Sequence, residues 1–213
     1  MEVELKYLIA DEDTQKRLWS ESVFKRYGDV DLHAETNMRA IYYDTKDGLL
    51  RTVDAAFRIR KENDRMVATL KWGGRSEEEL HEREELNLPL CNPSDAEEPT
   101  LKVFAESEKG RELIELIGDR KLIPMVETSF TRKTMRIDTG ESICEAALDT
   151  GKIITAHGNA DIRELELELF SGSIEDVEEI GRDLAERFSL QPGIKSKYAR
   201  GVELNKDAHI TRA

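Results

Sequence analysis

Alternating apolar and polar residues predict a chain built mainly of β-strands. Residues 2–9 begin the pattern, with Val3 and Leu5 on one face of a strand and Glu2 and Glu4 on the other. A period of two residues is typical of a strand with one buried face. The same alternation recurs at 38–45, 55–63, 65–72, 81–90, 126–138, 142–155 and 161–172. About eight such strands predict one antiparallel barrel or sandwich.

A smaller part of the chain shows the spacing of apolar residues that favours helices. This spacing occurs at 11–27, 101–122 and 173–188. The second helix is expected to break near Gly110 or Gly118. Ser173 is placed to cap the third, because a serine hydroxyl accepts a hydrogen bond from the first turn of a helix. A loop at 92–100 and a short tail at 191–204 complete the prediction.

The net charge of the chain argues against some classes of binding partner. The 213 residues include 32 Lys and Arg against 45 Asp and Glu, a net charge of −13. So acidic a chain repels phosphate on average, which argues against general nucleic-acid or membrane-surface binding. The start MEVELKYLI has no basic segment followed by an apolar one, and the two cysteines are too few for a disulfide framework. We therefore expect a cytoplasmic protein with no membrane span.

The polar faces of the predicted strands are ordered by charge. Glu164, Glu166 and Glu168 share one face of a strand, and Arg58 and Arg60 share one face of another. Like charges at every second residue lie roughly 7 Å apart and repel one another, since a strand rises by about 3.3 Å per residue. A solvated outer face would screen this repulsion. A closed sheet with its charged face inside would instead pair opposite charges across the barrel.

The charged positions of these faces come close to balance in sign, as an interior requires. The acidic ones are Glu2, Glu4, Glu85, Glu145, Asp149, Glu164, Glu166 and Glu168, and the basic ones are Lys6, Arg58, Arg60, Lys71, Arg83 and Arg132. Carboxylates are the hard oxygen ligands of divalent metal ions, and Arg and Lys bind polyanions. The interior of a barrel of about eight strands leaves room for one small ligand.

Several motifs follow one another in an order that resembles a known family. They are EVELK (2–6), YYDT (42–45), FRIR (57–60), TLK (69–71), HEREELNLPL (81–90), TSFTRKT (128–134), CEAALDTG (144–151), ELELEL (164–169) and KSKYARG (195–201). The first is an ExExK signature, and the series resembles the CYTH superfamily, the triphosphate tunnel metalloenzymes. The resemblance implies that residues 1–213 form a single domain. Its fold would be mainly β (α+β), a closed eight-stranded antiparallel barrel with helices packed outside.

The resemblance also implies roles for individual residues. The implied catalytic residues are Glu2, Glu4, Lys6, Glu166 and Glu168. The implied phosphate-binding residues are Lys6, Arg58, Arg60, Lys71, Arg83, Arg132 and Lys197. The implied ligands of Mg²⁺ or Mn²⁺ are Glu2, Glu4, Glu85, Asp149, Glu166 and Glu168. Asn87 departs from the pattern, since many members carry Glu there.

The expected activity is metal-dependent hydrolysis of inorganic triphosphate, because the motifs at 80–90 and 194–201 look most like the bacterial inorganic triphosphatase type. Class IV adenylate cyclase and thiamine triphosphatase are enzyme alternatives, and a polyphosphate or nucleotide sensor is the non-enzymatic one. The expected partner is a small polyanion, with no nucleic acid beyond a 5′-triphosphate end and no membrane. A homodimer is compatible with the sequence, as is a monomer.

Overall fold

A computed structural model describes residues 2–91 and 98–210, and most of the predicted loop at 92–100 therefore lies outside the described residues. Nine strands are found in the described part. They are β1 (Glu2–Leu8), β2 (Asp29–Thr45), β3 (Ala55–Glu62), β4 (Arg65–Glu77), β5 (Leu80–Leu90), β6 (Leu122–Asp138), β7 (Ile143–Thr155), β8 (Gly158–Ser171) and the short β9 (Gln191–Pro192). The first eight alternate between apolar and polar residues over much of their length, as the sequence predicts.

The eight long strands close into an antiparallel barrel. Neighbouring strands follow the order β5-β4-β3-β2-β6-β7-β8-β1, and β1 pairs in turn with β5. Glu2 lies opposite Arg83 at this closing contact, and Glu4 lies opposite Glu168 on the other side of β1. The strand β9 pairs with the end of β1 at Tyr7 and Leu8. Closure satisfies the backbone groups that an open sheet would expose, and it separates an inner from an outer face.

Helices pack against this barrel, most of them on its outer face, whereas the last one contacts the inner-face residues Ala40 and Tyr42 of β2. They are α1 (Glu12–Leu18), α2 (Glu21–Phe24), α3 (Leu49–Thr52), a 3₁₀ turn (Leu101–Phe104), α4 (Glu108–Ile117), α5 (Ile174–Phe188) and α6 (Lys197–Ile210). Among the described residues, no helix is long and apolar enough to cross a membrane. The predicted fold, an eight-stranded closed barrel with helices outside, is confirmed.

The apolar faces of the strands point outwards into the contact with the helices. Leu5 of β1 and Leu167 of β8 pack with Val177 of α5 in one cluster. Gly181 allows this approach, since a Cβ there would lie 2.6 Å from the Tyr7 hydroxyl oxygen. Each buried aliphatic side chain contributes about 1.5–3 kcal/mol to folding.

A second apolar cluster lies on the outer face of β3 and β4. Phe57 and Leu70 pack there against Leu113 of α4 and Phe104 of the 3₁₀ turn. The rings of Phe57 and Phe104 meet edge to face, with centroids 6.0 Å apart. With the apolar residues outside, the charged residues of the same strands face the barrel interior.

Four segments differ from the sequence prediction. The helix expected at 11–27 is two helices, α1 and α2, and the one at 101–122 is the 3₁₀ turn followed by α4. The strand expected from 38 begins at Asp29, because residues 29–37 are held by backbone pairing with β6 although they are mostly exposed and carry no apolar period. The tail at 191–204 contains β9 and the start of α6. Tertiary contacts decide these ends, since local periodicity is weak there.

Candidate active site

One cavity occupies the barrel interior, with a volume of about 100 Å³. The sequence-predicted residues that line it are Glu2, Glu4, Lys6, Arg58, Arg60, Lys71, Arg83, Arg132, Glu166 and Lys197. The other three predicted residues each meet a lining residue. Glu85 pairs with Lys71, Asp149 pairs with Arg132, and Glu168 lies opposite Glu4 in the register of β1 and β8. The structure therefore brings the whole predicted set together, although it does not test the role of any member.

Strand register places these side chains next to one another. Lys6 lies opposite Glu166 across the β1–β8 contact, and Lys71 lies opposite Glu85 across the β4–β5 contact. Because side chains alternate along a strand, one register fixes which charges meet inside. The Nζ atom of Lys6 lies 3.0 Å from Glu4 of the same strand and 3.5 Å from Glu166 of β8. Lys6 therefore connects β1 with β8.

One side of the interior is a dense group of opposite charges, here called the paired cluster. Its members are Arg132, Asp149, Glu164, Glu166 and Lys197. The guanidinium of Arg132 donates two hydrogen bonds of 2.7 Å to Asp149, and it also pairs with Glu166. The Nζ atom of Lys197 lies 2.7 Å from Glu164 and 2.8 Å from Asp149 and Glu166.

The cations around Glu166 keep its carboxylate ionised. Burial alone would raise the pKa of Glu166, but Lys197, Arg132 and Lys6 outweigh it and hold that pKa well below its usual range. The pKa of Lys197 is correspondingly well above its usual range, since its three carboxylate partners outweigh burial. Such buried pairs are stable only when each charge keeps its partners.

A second group, here called the acidic cluster, consists of Glu2, Glu4 and Glu168. Burial raises the pKa of Glu2 to about 7 with the help of Glu4 and Glu85, despite the attraction of Lys71. Burial likewise raises the pKa of Glu168 to about 7, and the charges of Glu2 and Glu4 add to the effect. Glu2 and Glu168 lack enough positive charge nearby to offset burial, in contrast to Glu166 of the paired cluster.

A third group, the arginine pair, consists of Arg58 and Arg60 on the inner face of β3. Within the described residues, the buried Nε atoms of both have no hydrogen-bond acceptor. Burial and the charge of Arg58 lower the pKa of Arg60 to about 10, although Glu62 pairs with it. Buried donors without acceptors are costly, and a polyanion in the cavity would satisfy them.

The acidic cluster fits a divalent cation by its donor chemistry. Carboxylate oxygens are the ligands that Mg²⁺ and similar ions prefer, and a cation would relieve the repulsion that raises the pKa of Glu2 and Glu168. The described residues hold no group of three His, Cys, Asp or Glu side chains already arranged around a metal position. Side-chain rotation is therefore needed on binding. For all six predicted ligands the role stays a prediction. Glu85, Asp149 and Glu166 already pair with cations inside the protein. Glu2 and Glu4 also do so, with Lys71 and Lys6.

Sequence reasoning missed several residues of the interior. Tyr42 and His81 line the cavity, and so do Ser196 and Tyr198 from the segment that begins α6. The parity of Tyr42 in the YYDT segment could have indicated its inward direction. Arg200 also reaches the interior, where it pairs with the buried Glu164. It lies three residues after Lys197, a spacing that places both side chains on one face of a helix, but the prediction of a tail at 191–204 concealed this signal.

Comparison with known proteins agrees with this geometry. The family model of the CYTH domain matches residues 1–202. An inorganic triphosphatase of Haemophilus influenzae is 32% identical over 170 residues, which are 80% of this chain and 46% of that protein. The chain thus spans about half the length of this curated relative.

Solved structures with the same fold are more distant in sequence. A putative adenylyl cyclase from Hippeastrum, described as having a dominant triphosphatase activity, has a TM-score of 0.65 at 18% identity, covering 93% of this chain and 94% of its own. A putative adenylate cyclase from Bacillus halodurans has a TM-score of 0.58 at 22% identity, covering 94% and 96%. At these identities the likeness concerns the fold. Together with the match over residues 1–202, it shows that the chain belongs to the CYTH domain family.

Proposed function

We propose that this protein hydrolyses inorganic triphosphate to pyrophosphate and phosphate inside the barrel, with Mg²⁺ or Mn²⁺ as cofactor. The carrying observation is that one cavity is lined both by Glu2, a carboxylate with a raised pKa, and by Arg58 and Arg60, whose buried Nε atoms have no acceptor among the described residues. Lys71 and Glu62 neutralise these groups only in part. A complex of a divalent cation with a polyphosphate would neutralise both at once.

The arginine pair and the neighbouring cations would hold the phosphate groups. Arg58, Arg60 and Arg83 face the cavity from β3 and β5, and Lys71 faces it from β4. Guanidinium groups offer forks of donors to phosphate oxygens, each contact being worth about 1.5–3 kcal/mol. These residues would orient a linear chain of phosphates and stabilise the charge that develops as the phosphoanhydride bond breaks.

The acidic cluster would hold the metal ion. When bound, a divalent cation neutralises phosphate charge and lowers the pKa of a coordinated water. Glu2 and Glu168, with pKa values of about 7, are only partly ionised near neutral pH without it, and binding would favour their ionised forms. Lys6 lies between Glu4 and Glu166, so it is placed to neutralise the substrate next to the acidic cluster.

The relative from Haemophilus influenzae supports this choice of substrate, since it is named an inorganic triphosphatase and matches 80% of the chain. We extend the proposal to a small polyanionic partner and to a cytoplasmic location. Both cysteines are free, Cys144 buried and Cys91 exposed, which suits a reducing compartment.

The test is phosphate release from triphosphate, thiamine triphosphate, ATP and pyrophosphate, with Mg²⁺, with Mn²⁺ and with a chelator. The expected order of kcat/KM is triphosphate, then ATP, then pyrophosphate, because pyrophosphate cannot reach the same set of cations. The chelator should abolish turnover. A preference for ATP with accumulation of cyclic AMP would show that the protein is an adenylate cyclase instead. A preference for thiamine triphosphate would show that it is a thiamine triphosphatase. Tight binding without turnover would indicate a sensor.

A further inference from the structure

Tyr42 is a phenol inside a cavity of charges. It lies on the inner face of β2, is 7% exposed and lines the cavity. Its neighbour Tyr43 is equally buried but points outwards, into the apolar cluster with Phe57. A buried tyrosine hydroxyl needs hydrogen-bond partners, so its surroundings indicate what it is placed to bind.

The only described hydrogen bond of the Tyr42 hydroxyl uses its oxygen as an acceptor. Arg58 Nη1 donates to that oxygen at 3.0 Å. A guanidinium has no acceptor, so the phenolic proton is not used in this contact. Within residues 2–91 and 98–210 no acceptor for this proton is found. The proton is therefore available to a group in the cavity.

Positive charge surrounds this hydroxyl. Burial alone would raise the pKa of Tyr42, but Arg58, Lys71 and Lys197 outweigh it, and the pKa is lowered. Burial raises the pKa of Tyr43 and of Tyr198, which lack that set of cations. The Tyr42 hydroxyl thus lies in surroundings that favour an anion.

The ring of Tyr42 is held in place on two sides. It stacks on Tyr198 of α6 with centroids 4.9 Å apart and planes 15° from parallel. The guanidinium carbon of Arg58 lies 5.8 Å from its ring centroid. A side chain fixed before binding loses little conformational entropy when a ligand arrives.

We propose that the Tyr42 hydroxyl donates a hydrogen bond to a phosphoryl oxygen of the substrate, next to the contacts that Arg58 makes. This inference rests on the proposed function and adds a neutral donor to a site that otherwise holds phosphate by charge. Arg58 polarises the phenol by donating to its oxygen, and this strengthens the donation to phosphate. Tyr198 fixes the direction of the ring, which connects α6 with the phosphate site.

The first test compares Tyr42→Phe with Tyr43→Phe. Both changes remove one hydroxyl from neighbouring residues of β2, and Tyr42→Phe keeps the ring and its stacking. Calorimetry with a non-hydrolysable imido analogue of triphosphate, in Mg²⁺, should show roughly tenfold weaker binding for Tyr42→Phe, since a hydrogen bond to a charged group is lost. Tyr43→Phe should bind like the wild type. Equal affinity of Tyr42→Phe and the wild type would overturn the inference.

A double-mutant cycle separates direct contact from an effect through Arg58. Tyr42→Phe is repeated in the Arg58→Ala background, with the same calorimetric readout. If Tyr42 contacts the phosphate directly, Tyr42→Phe should still weaken binding severalfold in this background. If Tyr42 only positions Arg58, Tyr42→Phe should leave the affinity of the Arg58→Ala protein unchanged, and that result would overturn the inference. Failure of the wild type to bind the analogue would refute the proposed function itself, and the inference with it.

Discussion

Two groups of charged residues in the barrel interior differ in how far the protein neutralises them. In the paired cluster, Lys197 and Arg132 place positive charge within 2.8 Å of Asp149. In the acidic cluster, burial raises the pKa of Glu2 and Glu168 to about 7, and neighbouring carboxylates add to the rise. The first group is complete without a ligand, whereas the second needs a cation to become so.

This contrast indicates that the charged residues of the paired cluster stabilise the fold, whereas those of the acidic cluster are placed to bind a ligand. Lys197 begins α6, and its contacts with carboxylates of β7 and β8 connect the end of the chain to the barrel. Among the described residues, the Nε atoms of Arg58 and Arg60 have no acceptor, so a ligand can pair with them without first breaking a contact of these atoms. Glu2 and Glu4 already pair with Lys71 and Lys6, and a cation would compete for them. Charge that the protein leaves uncompensated therefore marks the binding site more clearly than charge as such.

Breaking the paired cluster should have the largest effect. Lys197→Met leaves Asp149, Glu164 and Glu166 with too little positive charge, and we expect a loss of about 3–5 kcal/mol in the free energy of unfolding. Denaturant unfolding measures it. Lys195→Met is the matched control. Lys195 lies two residues before Lys197, is exposed and pairs with Glu203. A loss below about 1 kcal/mol in Lys197→Met would contradict the structural role of the cluster.

Neutralising a member of the acidic cluster should act on turnover instead. For Glu168→Gln we expect kcat to fall about 100- to 1,000-fold, as when one preorganised electrostatic contact is removed. The metal-free protein should be slightly more stable, since a like charge is gone. Triphosphatase assays and thermal unfolding measure the two effects, with the exposed Glu12→Gln as control. Unchanged activity at saturating Mg²⁺ and Mn²⁺ would remove Glu168 from the metal site.

Shortening one of the arginine pair should weaken binding of the substrate. Arg60→Ala removes donors worth about 1.5–3 kcal/mol, which is roughly 10- to 150-fold in Kd. Calorimetry with the imido analogue of triphosphate measures the change. Arg39→Ala, which removes an exposed arginine paired with Glu127, should leave the affinity unchanged. The same affinity in both variants would place Arg60 outside the binding site.

The last prediction concerns the dependence of the free energy of unfolding on pH. A carboxyl group whose pKa rises from 4.5 in the unfolded chain to about 7 in the fold favours folding when protonated. Glu2 and Glu168 should therefore lower Tm as pH rises from about 4.5 to about 7 in the absence of metal. Thermal unfolding with a chelator should show this slope, and Glu168→Gln should reduce it. Mg²⁺ should raise Tm more at pH 8 than at pH 5; an equal rise would argue against binding at these groups.

Much of the fold was open to prediction from local patterns. The alternation at residues 2–9 and 161–172 indicates strands with one charged and one apolar face, and the order of motifs indicates the family. The structure of segments without such a period was harder to predict. Residues 29–37 extend β2 because β6 pairs with their backbone, and 197–210 form α6 although 191–204 read as a tail.

The sequence by itself determined which residues share one face of each strand, because parity along a strand needs only the spacing of residues. It thus brought Glu166 and Glu168 into one candidate set without distinguishing them. Only the tertiary structure decided that Glu166 meets Lys197 and Arg132, whereas Glu168 faces Glu2 and Glu4. The physical reason is that a buried charge depends on neighbours from distant parts of the chain. Barrel closure and strand register set those distances, and no local pattern contains them.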